Sequence, residues 1–77
     1  MPEETLEQYA IYDHPSDYPN NFVVRRWEVV RGVPVAMPCG NPVLTETLEA
    51  ARAVVPPGFV NIGRFENDDP VILEVWI

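Results

Sequence analysis

Apolar residues fall into short runs along this chain, and proline, glycine and acidic residues break the runs at close intervals. The first run, Gln8-Tyr9-Ala10-Ile11-Tyr12, is aromatic and β-branched and predicts a strand. Residues 1–6 before it, with Glu3, Glu4 and Thr5 among them, predict a frayed end. Residues 13–21 hold two X-Pro steps among Asp, Asn and Ser. Each residue before a proline is pushed out of the helical region, so this interval predicts a rigid loop. Residues 21–31 carry the longest strand signal. Phe22, Val24 and Val30 fall on one parity and Val23, Trp27 and Val29 on the other, so both faces receive apolar groups. Arg31-Gly32 predicts a turn into a second arm over 33–37, where Pro34 argues for a sheet edge.

Pro38-Cys39-Gly40-Asn41-Pro42 reads as a loop. Thr45 is then placed to cap a helix over residues 46–54, with acidic side chains in the first turn and Leu48, Ala51 and Val55 as the buried stripe. Pro56-Pro57-Gly58 ends it. Residues 59–65 predict a strand, 66–70 a turn and 71–77 a last strand. Strict alternation puts Val71, Leu73, Val75 and Ile77 on one side of that strand and Ile72, Glu74 and Trp76 on the other. The expected fold is α+β: a small antiparallel sheet with elements in the order β-β-β-α-β-β, one helix packed on one face, and a single domain over residues 1–77. A helix of three turns is about 15 Å long and covers only part of such a sheet. The uncovered side is expected to carry Trp76, Ile72 and some of Phe22 and Val24.

Composition sharpens this picture. A chain of 77 residues supports one small core, and association is an open route to burying more surface. Twelve acidic residues against five arginines give a net charge of −7, which repels phosphate backbones and anionic lipid, so neither direct nucleic-acid binding nor a membrane partner is expected. The single Cys39 cannot form an internal disulfide. The acidic start lacks the basic region of a secretory signal, and no run approaches the roughly 20 apolar residues of a membrane span, so a cytoplasmic location is expected.

Candidate chemistry concentrates in Tyr12-Asp13-His14-Pro15-Ser16-Asp17-Tyr18. Asp13, His14 and Asp17 make a poor metal set, because zinc wants three or four ligands rich in His or thiolate and the chain has one histidine. No cofactor, metal or catalytic centre is expected. Ser16 would need His14 as its base from two positions away in the same loop, and Cys39 would need His14 across space. A small enzyme or ligand-binding domain built on Tyr12, His14, Asp17 and Cys39 stands as an alternative. Arg25 and Arg26 point to opposite faces of their strand, so each is expected to pair with a carboxylate on its own side rather than form a basic patch. Glu66-Asn67-Asp68-Asp69 reads as a solvated turn or, with Glu3, Glu4, Glu7, Glu46 and Glu49, as an acidic surface for a basic protein partner.

The phrases Tyr12-Asp13-His14-Pro15, Phe22-Val23-Val24-Arg25-Arg26-Trp27, Thr47-Leu48-Glu49-Ala50-Ala51-Arg52 and Asp68-Asp69-Pro70-Val71-Ile72 with Glu74-Val75-Trp76 resemble a group of short uncharacterised bacterial and phage-borne proteins. The resemblance covers nearly the whole chain and implies a stand-alone accessory protein, with no activity attached. The expected function is a non-enzymatic acidic protein-binding module, in the manner of anti-CRISPR-like inhibitors or DNA mimics. It would occupy a basic surface of a partner protein through Phe22, Val24, Ile72, Glu74 and Trp76, with Glu66, Asp68 and Asp69 around them. A homodimer whose sheet faces bury one another is the structural alternative.

Overall fold

The computed structural model describes residues 5–32, 37–64 and 70–77, and in these the chain is mostly strand. The elements are β1 (Thr5–Asp13), β2 (Phe22–Val30), β3 (Met37–Thr45), α1 (Leu48–Val54), β4 (Asn61–Gly63) and β5 (Ile72–Trp76). They form one five-stranded sheet in the order β3-β2-β1-β5-β4, antiparallel throughout. The strands therefore do not lie in the order in which they follow one another along the chain. β1 takes the centre, and α1 connects one edge strand, β3, to the other, β4.

β1 pairs with β2 along its whole length, from Thr5↔Val30 to Asp13↔Phe22. Thr5 and Leu6, expected to fray, are paired in it, because main-chain hydrogen bonds to β2 need no apolar run; residues 1–4 lie outside the described residues. The loop after β1 is tied by its own backbone: His14 N–H donates to the Asn21 carbonyl at 3.1 Å, and Tyr18 N–H to that of Pro15 at 2.9 Å. His14 enters it in the left-handed region, with φ 47°.

The segment 38–42, expected as a loop, lies inside β3. An edge strand uses the hydrogen bonds of one side only, so Pro38 and Pro42 cost it little. Between Val24↔Val43 and Arg26↔Cys39 β3 holds two more residues than β2, a bulge that needs a positive φ, which Gly40 supplies at +71°. The arm 33–36, with Pro34, lies outside the described residues.

Thr45 belongs to β3, and the helix cap is Thr47, whose Oγ1 accepts from the Ala50 N–H at 3.0 Å. Thr45 Oγ1 instead donates to the Thr47 carbonyl at 3.0 Å. The seven-residue helix buries Ala51 against Ile11 and Val24, and Tyr9, Phe22, Leu48, Val54 and Trp76 close around that cluster.

β5 carries the irregularity with the largest consequence. It pairs Glu74 with Ile11 but Ile72 with Tyr12, so Leu73 has no opposite residue and the alternation resets across it. Glu74 and Trp76 stand on the helix side with Ile11 and Tyr9. Ile72 stands on the other side with Tyr12, Ala10 and Val75, all lining one depression. Ile72, Glu74 and Trp76 therefore do not share a face.

Candidate functional site

On the helix side, polar groups on the strands are largely bound to one another. Glu74, only 7% exposed, accepts from Arg52 Nε at 3.0 and 3.1 Å, from Arg52 Nη2 and from the Trp76 indole at 3.2 Å. Arg52 holds the Glu74 carboxyl below its ordinary pKa, burial opposes this, and the indole assists. Arg26 reaches Glu7 at 3.1 Å and Glu28 at 3.3 Å, and the Glu7 hydrogen bond raises its pKa above the ordinary arginine value. Arg25 points the other way and donates to Asp17 at 3.1 Å. The two adjacent arginines thus diverge and pair separately, as strand geometry requires.

The opposite side of the sheet, here called the reverse face, is built by the other parity: Leu6, Gln8, Ala10 and Tyr12 of β1 across from Val29, Trp27, Arg25 and Val23 of β2. Val75 and Ile72 of β5 flank β1, Leu44 of β3 lies beside Val23, and Val60 and Ile77 exchange two backbone hydrogen bonds at the far edge. Gln8, Ala10, Tyr12, Trp27, Ile72 and Val75 line a depression of about 160 Å³. The loop after β1 covers only the Val23 end, where buried Pro15 shares a cleft with Tyr12, Asp17 and Arg25. Elsewhere the face is open: Leu6 is 53% exposed, Leu44 44%, Val60 62% and Ile77 41%, while Tyr12, Trp27, Val29, Ile72 and Val75 are half-buried.

Charge is segregated in an unusual sense. Of the charged side chains on described strand residues, Glu7, Asp13, Arg26, Glu28 and Glu74 fall on the helix side by register, and Arg25 alone falls on the reverse face. Sheets that face a helix on one side and water on the other ordinarily show the opposite bias.

The residues expected at a partner surface separate accordingly. Val24 is 2% exposed and belongs to the core, because α1 packs on its parity of β2. Phe22 and Trp76 pack against that same core, and Glu74 is buried with Arg52. Of the described residues among them, Ile72 alone reaches the reverse face. Glu66, Asp68 and Asp69 lie outside the described residues. Trp27, Tyr12, Val75 and Leu6 were not predicted there. The parity of Val23, Trp27 and Val29 was the available signal for the first.

The residues of the enzymatic alternative are scattered. Tyr12 and Asp17 share the cleft on the reverse face, whereas His14 sets Nδ1 against Asp13 and its ring against Phe22 at 4.8 Å. Cys39 sits opposite Arg26, four residues along β2 from Phe22, or about 13 Å, out of reach of His14. A hydrogen bond with Glu28, then burial, raises the Cys39 thiol pKa, which disfavours the nucleophilic thiolate. Among the described residues no three His, Cys, Asp or Glu side chains are grouped to hold a metal ion, and no helix is long and apolar enough to cross a membrane.

No family model, curated protein or solved structure matches the chain, so geometry alone carries the functional reading.

Proposed function

We propose that this chain is a non-enzymatic protein-binding module whose contact surface is the reverse face of the sheet. The supporting observation is the segregation of charge: the face without a helix is the one whose strands carry a single charged residue, Arg25, already paired with Asp17. Covering apolar surface gains about 25 cal/mol per Å². Trp27, on the open part of the face, and Tyr12, toward its loop-covered end, are side-chain types that dominate interface centres.

The acidic excess takes a secondary role in this reading. The described residues hold Glu7, Asp13, Asp17, Glu28, Glu46, Glu49 and Glu74 against five arginines, and Glu7, Asp17, Glu28 and Glu74 are each engaged by an arginine. The other five acids, Glu3, Glu4, Glu66, Asp68 and Asp69, lie outside the described residues. With four of the seven described acids already engaged by arginines, the excess supports steering of a basic-rimmed protein better than imitation of a continuous phosphate ladder.

The test is capture from a cell lysate on the immobilised chain, beside a Leu6→Ser/Trp27→Ser variant whose circular dichroism matches the parent. Proteins retained by the parent and lost with the variant are the expected result. Identical retention by both would remove the reverse face from the reading.

A further inference from the structure

We draw no further inference here: the strongest candidate, the open apolar face of the sheet around Trp27, Ile72 and Val75, carries nothing beyond the reading above, because nothing among the described residues shows what covers it.

Discussion

At the scale of single residues, Glu74 shows how a carboxylate survives in so small a core. A buried charge is tolerated when its lone pairs are taken up, and here Arg52 grips both oxygens while the Trp76 indole takes one again. The pair fastens α1 to β5. Glu74→Gln is expected to cost about 1–2 kcal/mol, at the lower end because the Arg52 side chain is 45% exposed and partly screened by solvent. That corresponds to a fall in Tm of about 4–8 °C per kcal/mol. The pH dependence follows from the depressed folded pKa. The unfolded carboxyl titrates near 4.5 and binds its proton first as pH falls, so the contribution is full above that value and disappears as pH drops through the folded one. Tm measured from pH 7 to 3 should fall less steeply for Glu74→Gln than for the parent, and parallel curves would mean the pair contributes nothing. Cys39 offers a second check. With its thiol pKa raised by Glu28, it should alkylate at pH 8 more slowly than an unstructured peptide cysteine despite being only half-buried, and equal rates would show that Glu28 exerts no hold.

At the scale of elements, the helix was legible and its cap was misplaced by two residues. The Leu48–Ala51–Val55 stripe and the Pro56-Pro57-Gly58 stop are local signals, but Thr45 and Thr47 are chemically alike, and only pairing with Phe22 draws Thr45 into β3. Since α1 has seven residues, too few to persist alone, the cap matters. Thr47→Ala should cost about 1 kcal/mol, and more than Thr45→Val, as read by urea unfolding; the reverse ranking would return the cap to Thr45. β3 was illegible for a different reason. Two prolines and a glycine in five residues spell a loop by every local rule, and the strand exists only because β2 presents a partner on one side. β5 hid its faces in the same way. Its alternation is unbroken in sequence, and the slip at Leu73 arises from the meeting with β1, so no reading of β5 alone could have separated Ile72 from Trp76.

At the scale of the whole molecule, composition indicated a sheet face left without cover but not which one, because α1 selected the side of Ile11 and Val24 and took Trp76 and Phe22 with it. What remains open is the Trp27 side, and the identity of its cover decides whether folding depends on concentration. If two chains cover that face for one another, unfolding releases two chains per dimer, and each tenfold increase in protein adds about 1.4 kcal/mol per dimer to the folded state. Spread over two chains of 77 residues, this raises Tm by about 3–5 °C per decade. Thermal melts of the parent from 5 to 500 µM would then show that slope, more evenly in 500 mM than in 20 mM NaCl because screening removes the mutual repulsion of the two acidic chains. Leu6→Lys would show a shallower slope over that range, since weaker pairing leaves a smaller concentration term. A parent whose Tm is flat across that range would show that a single subunit withstands heating with its Trp27 face in water.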